Sequence, residues 1–257
     1  RRPDVDLDHP TLRVNIHIDR NICTLSLDSS GQSLHKRGYK VANTMAPINE
    51  VLAAGIIMLA GWNGQCDLLD PMCGSGTILT EAAMIACNIP PNLNRDEFAF
   101  ENWLDFDVDL YELIENAALK KIRDFHYTIH GFDIEADVVK KANENIESAN
   151  LKEFISVKNQ DFFTSKKETE RSLFVVFNPP YDERIQVDAE KLYASIGTTL
   201  KHKYSGTQAW MITSNMEALK HVGLRPSRRI KLYNGKLESK LVRYDMYEGS
   251  KKTKKNL

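Results

Sequence analysis

Short apolar segments alternate with helix-like segments along most of this chain, and that alternation limits the folds available to it. Five apolar runs have the character of strands, at residues 67–72, 128–134, 155–161, 172–177 and 209–213. Helical patterns at 47–58, 77–87, 110–125, 135–149 and 189–204 precede, separate or follow them. Strands that alternate with helices form right-handed βαβ units and a mostly parallel sheet covered on both faces. The sequence therefore predicts an α/β fold.

Two hairpins are predicted at the ends of the chain. Near the start, runs at 12–18 and 23–27 alternate in polarity around Asp19-Arg20-Asn21. Near the end, runs at 227–233 and 237–247 flank Asn234-Gly235, a pair that suits a type I′ turn. The parallel sheet should therefore finish with an antiparallel pair.

Composition excludes several classes of protein. The chain is 42% hydrophobic and 27% charged, which is typical of a soluble globular protein. We expect no membrane span, because no apolar run approaches the roughly 18 residues that a span needs, and no signal peptide. The four cysteines lack metal-ligand spacing, so we expect no metal and no disulfide framework, and a cytoplasmic location.

Charge is distributed unevenly. Residues 225–257 hold eleven Lys and Arg against three Asp and Glu, although the net charge of the whole chain is −1. A basic end segment can dock on a phosphate backbone. The predicted RNA-binding residues are Arg225, Arg228, Arg229 and Lys231. Lys251 to Lys255 can also be read as a solubilising tail.

A glycine-containing turn joins the first apolar strand to a helix, with the sequence DPMCGSGT over residues 70–77. Glycines allow close approach to a ligand, and the helix N-terminus directs N–H groups toward it. A Walker loop would need a lysine where Thr77 stands, and a dinucleotide fingerprint would need a glycine at Leu79. S-adenosylmethionine is the remaining cofactor, because its ammonium group favours an acidic residue such as Asp70.

Two further acidic residues follow the next two strands. Asp133 can accept hydrogen bonds from the ribose hydroxyls of a nucleoside, although it or Glu135 could serve only to cap a helix. Asp161 is followed by Phe162 and Phe163, so a carboxylate there can bind an adenine amino group while an aromatic ring covers the base. Ligands of open α/β sheets bind at the carboxyl ends of the strands, where all these residues are expected.

The most apolar strand is followed by Asn178-Pro179-Pro180-Tyr181. Two prolines make this turn rigid and remove two backbone donors. The Asn178 side-chain oxygen and a proline carbonyl can both accept from an exocyclic amino group, and the Tyr181 ring can stack on a base. Catalysis would then consist chiefly of orienting the amine against a methyl donor.

Together these motifs resemble the class I amino-methyltransferases. More narrowly, HKRGY at 35–39, APINE at 46–50, Gly61-Trp62 and the Glu183-Arg184 after NPPY resemble bacterial ribosomal RNA guanine-N2 methyltransferases. The resemblance implies a Rossmann-like, mostly parallel seven-stranded sheet, S-adenosylmethionine as cofactor, and large-subunit ribosomal RNA as partner. It implies methylation of the exocyclic N2 amine of a guanine.

The resemblance also implies domains and site residues. Members of the family carry an N-terminal THUMP RNA-binding domain, which needs more than 40 residues. We therefore expect a remnant of it at 1–40, a methyltransferase domain at 41–250 and a basic tail at 251–257. The catalytic residues would be Asn178, Pro179, Pro180 and Tyr181. The cofactor would contact Pro47, Asp70, Pro71, Cys73, Gly74, Ser75, Gly76, Thr77, Asp133, Ile134, Asp161, Phe162 and Asn178.

Three other functions share part of this pattern. An N6-adenine DNA methyltransferase uses the same motifs on a similar amine, but it must flip its base from a duplex and usually carries a target-reading domain. A protein-glutamine N5 methyltransferase would not need the basic segment. A binding scaffold that has lost catalysis would not need an intact NPPY.

Overall fold

The computed structural model describes residues 4–7, 10–42, 48–180 and 186–247, with the backbone alone over 186–188. Pro47, Tyr181 and the predicted tail at 251–257 lie outside these ranges. The chain divides into two units, a smaller one of residues 1–38 and 89–122 and a larger one of residues 39–88 and 123–257.

Nine strands and five α-helices occur in the described residues. In chain order they are β1 (Arg13–Asp19), β2 (Ile22–Asp28), α1 (Glu50–Ala60), β3 (Asp67–Asp70), α2 (Thr77–Cys87), α3 (Val108–Leu119), β4 (Ile129–Asp133), α4 (Ala136–Ser148), β5 (Ile155–Asn159), β6 (Leu173–Phe177), α5 (Gln186–Lys203), β7 (Gln208–Thr213), β8 (Arg228–Asn234) and β9 (Leu237–Asp245). Two 3₁₀ helices, Ala99–Asn102 and Ala218–Val222, complete the set.

Seven strands of the larger unit form one sheet in the order β5-β4-β3-β6-β7-β9-β8. The first five of these are parallel, whereas β9 runs antiparallel to both of its neighbours, β7 and β8. The predicted mostly parallel seven-stranded sheet with an antiparallel end is confirmed.

Helices pack on both faces of this sheet. On one face, Val175, Met211 and Val242 share a buried cluster with Tyr193 and Leu200 of α5. We call this the α5 face. Side chains alternate along a strand, so the next residues point to the opposite face. There α2 approaches β4 so closely that a Cβ added to Gly131 would lie 2.5 Å from Leu79 Cδ1.

Helix α1 begins later than the sequence suggested. The side chain of Asn49 accepts hydrogen bonds from the N–H groups of Val51 and Leu52, so Asn49 is the cap and the first helical residue is Glu50. The prediction that the helix starts at Pro47 was therefore wrong. A side-chain cap decided the boundary, because it satisfies donors that a helix start leaves unpaired.

Helix α3 was also misplaced, since 110–125 was predicted and Val108–Leu119 is observed. The Asp107 side chain caps the helix by accepting from Leu110 N–H. At the other end, the N–H of Arg123 is bonded to the carbonyl of Cys87 and cannot continue a helical ladder. A long-range contact overrode the local periodicity.

The terminal hairpin turns one residue later than predicted. Asn234 still pairs with Leu237, so the loop residues are Gly235 and Lys236. Gly235 has φ of +60° at the first loop position, where a type II′ turn requires glycine. In the first hairpin Arg20 and Asn21 both have positive φ, as a type I′ turn requires.

The smaller unit contains the first hairpin and the aromatic segment that precedes and includes α3. Phe100 N–H donates to Ser29 O, and Arg95 Nη2 donates to the carbonyls of Ser30 and Gln32. The Phe98 and Phe100 rings stack with centroids 5.2 Å apart. The aromatic segment therefore packs within a unit whose other part, residues 1–38, lies earlier in the chain.

One face of the β1–β2 hairpin is apolar. Pairing places Val14 opposite Leu27, Ile16 opposite Leu25 and Ile18 opposite Cys23. All six residues are exposed, with the five large side chains between 53% and 71%.

Two helical glycines provide a matched test of packing. A Cβ at Gly197 in α5 would fall on the carbonyl group of Val222, 2.8 Å from its carbon, whereas a Cβ at Gly55 in α1 meets nothing within 4 Å. We expect Gly197→Ala to destabilise the fold by about 2 kcal/mol or more through overpacking. Gly55→Ala should stabilise it by about 0.5–1 kcal/mol. Urea denaturation would measure both, and equal effects would contradict the close approach of α5 to the 3₁₀ helix.

Candidate functional site

The candidate site lies at the carboxyl ends of the central strands. The chain crosses from β3 to β4 on one side, and β6 lies on the other side of β3, so the strand order reverses between β3 and β6. Open α/β sheets bind ligands at this kind of reversal. Asp70 ends β3, Asp133 ends β4, and Asn178 follows β6 directly. Because Leu69 pairs with Val175, these strand ends are adjacent in the sheet.

The glycine loop (residues 70–77) is held against β4 by two main-chain donors. Cys73 N–H donates to Phe132 O at 2.9 Å, and Gly74 N–H donates to Asp133 Oδ2 at 3.1 Å. Gly74 and Gly76 have φ of +54° and +78°, conformations that favour glycine. A Cβ added to Gly74 would meet no atom within 4 Å, so the loop surface is open there to a ligand.

The buried residues of the loop serve its packing. Pro71, Cys73, Ser75, Gly76 and Thr77 are all buried. The hydroxyls of Ser75 and Thr77 lie 3.3 Å apart and bond to each other. The open part of the loop is therefore its backbone around Gly74, which suits a ligand recognised through main-chain groups.

Asp133 links three elements. Its Oδ2 accepts from Gly74 N–H, and its Oδ1 accepts from Glu135 N–H at the start of α4. Its main-chain carbonyl accepts from the Nδ2 of Asn159, the last residue of β5, and from the N–H of Gln160, which follows that strand. Each carboxylate oxygen can accept a further hydrogen bond, so a half-buried Asp133 can still bind a hydroxyl. The adjoining Ile134 side chain is 70% exposed and offers an apolar surface.

Asp70 is buried, and its Oδ1 accepts from Met72 N–H at 3.1 Å. Burial, with a smaller contribution from the Asp133 charge, raises the pKa of Asp70 to about 8. Burial also raises the pKa of the Cys73 thiol, so that side chain is a packing group and not a nucleophile. A cation bound at this edge would favour the ionised form of Asp70.

Asp161 and Phe162 lie beyond β5. Asp161 Oδ1 accepts from Phe163 N–H at 2.8 Å. The Phe162 ring is only 2% exposed and packs against the rings of Phe177 and Tyr204. The half-buried ring at this position is that of Phe163. An aromatic contact to a base would therefore come from Phe163, while Phe162 supports it from the core.

The Asn-Pro-Pro corner (residues 178–180) follows a strand whose five residues are all buried. Asn178 is half-buried, Pro179 is buried and Pro180 is exposed. The fixed φ of both prolines makes the corner rigid. Tyr181 lies outside the described residues.

Two residues that pack against the glycine loop were not predicted from the sequence. Gly131 allows Leu79 and the Cys73 side chain to approach β4, since an added Cβ would lie 3.1 Å from Cys73 Sγ. A glycine inside a strand is a general signal of such close approach. Asn145 is fully buried in α4 and bonds to residues more than 60 positions away. No local pattern in α4 predicts those partners.

The predicted RNA-binding residues are exposed but do not share one surface. Arg229 pairs with Val242, which belongs to the α5 face, so Arg229 and Lys231 point to that face. Arg228 points to the opposite face, with its guanidinium 6.0 Å from the Trp210 ring centroid. Lys231 forms an ion pair with Glu238 at 2.7 Å. Arg225 precedes β8 and is exposed.

Two kinds of feature are absent from the described ranges. No helix there is long and apolar enough to cross a membrane. No cluster of three or more His, Cys, Asp or Glu side chains suited to a metal ion occurs there.

Sequence profiles match most of the chain. The profile of an RMKL-like methyltransferase domain matches residues 37–243, and the profile of a THUMP domain matches residues 1–28. Ribosomal RNA large subunit methyltransferase K/L of Syntrophotalea carbinolica is 39% identical over 96% of this chain. The chain spans 36% of the length of that relative. These matches confirm the resemblance that the motifs suggested.

Solved structures agree on the fold. SMU.472, a methyltransferase solved with S-adenosylhomocysteine, is 31% identical with a TM-score of 0.85, over 93% of this chain and 63% of its own. A predicted N6-adenine-specific DNA methylase from Listeria monocytogenes is 32% identical with a TM-score of 0.83, over 91% of this chain and 61% of its own. The class I methyltransferase fold is thereby confirmed.

The raised pKa of Asp70 predicts a specific dependence of stability on pH. Between its ordinary value of 3.8 and about 8, the folded chain holds a proton on Asp70 that the unfolded chain has lost. Stability should therefore fall as pH rises through this window, by up to about 1.4 kcal/mol per unit. Asp70→Asn removes the titrating group and with it this part of the pH dependence of stability.

We expect Asp70→Asn to become more stable relative to the wild type as pH rises from 5 to 8. The quantity compared is the free energy of unfolding of each protein. Urea denaturation at each pH measures it, and the difference cancels the other titrating groups that the two proteins share. Parallel profiles would show that Asp70 has no raised pKa in the folded chain.

Proposed function

Because the chain belongs to the family of RMKL-like methyltransferase domains, we propose that it methylates the exocyclic N2 amine of a guanine in large-subunit ribosomal RNA, with S-adenosylmethionine as cofactor. The observation that carries the proposal is the position of the Asn-Pro-Pro corner. It ends β6 directly beside β3, whose own end begins the open glycine loop. This arrangement can hold an amine on one side and a methyl donor on the other.

The residues present fit the proposed cofactor. Open space over Gly74 admits the amino-acid part of the cofactor close to the backbone, and Asp70 lies at the same strand end to favour its ammonium group. The remaining acceptor capacity of Asp133 suits the ribose hydroxyls. Ile134, Asp161 and Phe163 then surround the adenine. The structure of SMU.472 with S-adenosylhomocysteine supports this assignment.

The chemistry of the corner follows from hydrogen-bond geometry. The cofactor supplies an electrophilic methyl group on a sulfonium. The Asn178 side-chain oxygen and the Pro179 carbonyl accept the two N–H groups of the guanine amine and orient its lone pair. The resemblance assigns to Tyr181 the role of stacking on the base. The amine becomes acidic only as it is alkylated, so orientation accounts for most of the catalysis and no strong base is required.

Ribosomal RNA is favoured as substrate by two observations. Two relatives that match over 96% and 95% of this chain are named for large-subunit ribosomal RNA. The THUMP profile at residues 1–28 supports the proposal that 1–40 is part of an RNA-binding domain preceding a methyltransferase domain at 41–250. Such a substrate fits the cytoplasmic location that we propose.

RNA contacts are proposed for the α5 face of β8. Arg229 and Lys231 point to the face covered by α5, and α5 is the next helix after the Asn-Pro-Pro corner. We propose that a strand of RNA leaving the corner lies along this side of the sheet. Arg225 can extend this surface, whereas Arg228 serves Trp210 on the other face.

Asn178→Ala should reduce turnover by about 100-fold or more, because one acceptor that orients the amine is lost. Its dissociation constant for S-adenosylhomocysteine should stay within about threefold of the wild type, because other residues supply most of the cofactor contacts. Turnover would be measured with tritiated S-adenosylmethionine and unmethylated ribosomal RNA, and affinity by calorimetry.

Mass spectrometry of the labelled nucleoside separates the candidate functions. N2-methylguanosine in the ribosomal RNA supports the proposal. N6-methyladenine formed in a parallel reaction with DNA, without label in the RNA, would support the function given for the Listeria structure. Full activity of Asn178→Ala would remove Asn178 from the mechanism.

Arg229→Ser should weaken RNA binding about equally across sequences and reduce the slope of log affinity against log salt by about one. Arg228→Ser is the matched control, since it removes the same charge from the neighbouring residue on the opposite face. Fluorescence anisotropy with a ribosomal RNA fragment at several salt concentrations measures both. Equal losses for the two variants would place the RNA elsewhere.

A further inference from the structure

Asn145 uses every hydrogen-bonding position of its carboxamide. Its Oδ1 accepts from the N–H groups of Val41 and Ala42, both at 2.9 Å. Its Nδ2 donates to Ala42 O at 2.9 Å and to Ser75 O at 3.0 Å. The side chain is 0% exposed, so water does not compete for these bonds. One buried side chain thus joins the segment before α1 to the glycine loop.

Other residues on the same face of α4 as Asn145 pack against the glycine loop. A Cβ added to Gly76 would lie 3.4 Å from Ala142 Cβ and 3.6 Å from Ile146 Cδ1. Ala142, Asn145 and Ile146 are all buried and fall three and four residues apart, so they share one face of α4. The glycine loop therefore rests on α4 through apolar contact at Gly76 and through a hydrogen bond at Ser75.

The segment before α1 is fixed at further points. Tyr39 donates to the Glu81 carboxylate of α2 at 3.1 Å, and Lys40 forms a half-buried ion pair with Glu50 at 2.8 Å. These contacts attach residues 39 and 40 to α2 and α1. Asn145 attaches residues 41 and 42 to α4, immediately before the stretch that leads to Pro47.

We propose that Asn145 is a positioning residue of the cofactor pocket, setting the distance between the 41–42 segment and the glycine loop. This inference rests on the proposed function, because the glycine loop borders the cofactor site that it assigns, and residues 41–42 precede Pro47, which the resemblance assigns to the same site. A residue that bonds to both can hold them at the separation that a ligand needs. A leucine, which branches at the same carbon, would leave two N–H and two carbonyl groups without these bonds.

Two substitutions separate the contributions of Asn145. Asn145→Asp keeps an acceptor for Val41 and Ala42 N–H but loses both donors and turns a carboxylate oxygen toward the Ser75 and Ala42 carbonyls. Asn145→Ala loses all four bonds. Leu241→Ala is the control for stability, because Leu241 is fully buried in β9 and is not part of the proposed site.

We expect both Asn145 variants to raise the dissociation constant for S-adenosylhomocysteine by about tenfold or more. Losses of this size follow when a residue that holds the ligand-binding groups in place is removed. The KM for S-adenosylmethionine should rise in parallel, while kcat at saturating cofactor changes by less than about threefold. Leu241→Ala should lower the urea midpoint yet leave the dissociation constant within about twofold.

Hydrogen exchange of the wild type supplies a measurement that needs no variant. Binding of S-adenosylhomocysteine should slow amide exchange at Val41, Ala42 and the glycine loop together. Unchanged exchange at residues 41 and 42 would overturn the inference, as would wild-type affinity in both Asn145 variants. No binding of S-adenosylhomocysteine to the wild type would overturn the proposed function and this inference with it.

Discussion

The hydrogen bonds between the glycine loop and the end of β4 organise the site. Cys73 and Gly74 donate to Phe132 and Asp133, so the loop after β3 is attached to the neighbouring strand and not only to its own helix. This attachment requires Gly131, because a side chain there would collide with Leu79 and Cys73. Together with the bond from Glu135 N–H, it uses about half of the acceptor capacity of the Asp133 carboxylate and leaves the rest for a ligand.

Burying a carboxyl group at the strand ends has an energetic cost. Asp70 and Asp133 lie on adjacent strands, and burial keeps Asp70 protonated up to about pH 8. A carboxyl group of this kind destabilises the folded chain at neutral pH unless a cation approaches it. Unsatisfied or poorly solvated groups of this sort are characteristic of binding sites, where a ligand completes the electrostatics.

From the sequence alone, the alternation of strands and helices was predicted correctly, and Asp70, Asp133 and Asn178 do lie at strand ends. The errors concerned element boundaries and the direction in which side chains point. The α1 start depended on the Asn49 side chain and the α3 end on a bond from Arg123 to Cys87. The turn at Gly235 shifted by one residue because strand pairing extended to Asn234. The basic residues of β8 divided between two faces, since neighbours on a strand alternate and charge counting ignores alternation.

The sequence by itself determined the α/β alternation, the glycine loop, the acids that end the strands and the Asn-Pro-Pro corner. These follow from apolar periodicity and from backbone restrictions of Gly and Pro, which act within a few residues. Only the tertiary structure decided that Asn145 joins residues 41–42 to Ser75, and that the aromatic segment near residue 100 packs with residues 1–38. Those contacts link positions far apart in the chain, and their energy depends on burial and geometry that exist only after folding.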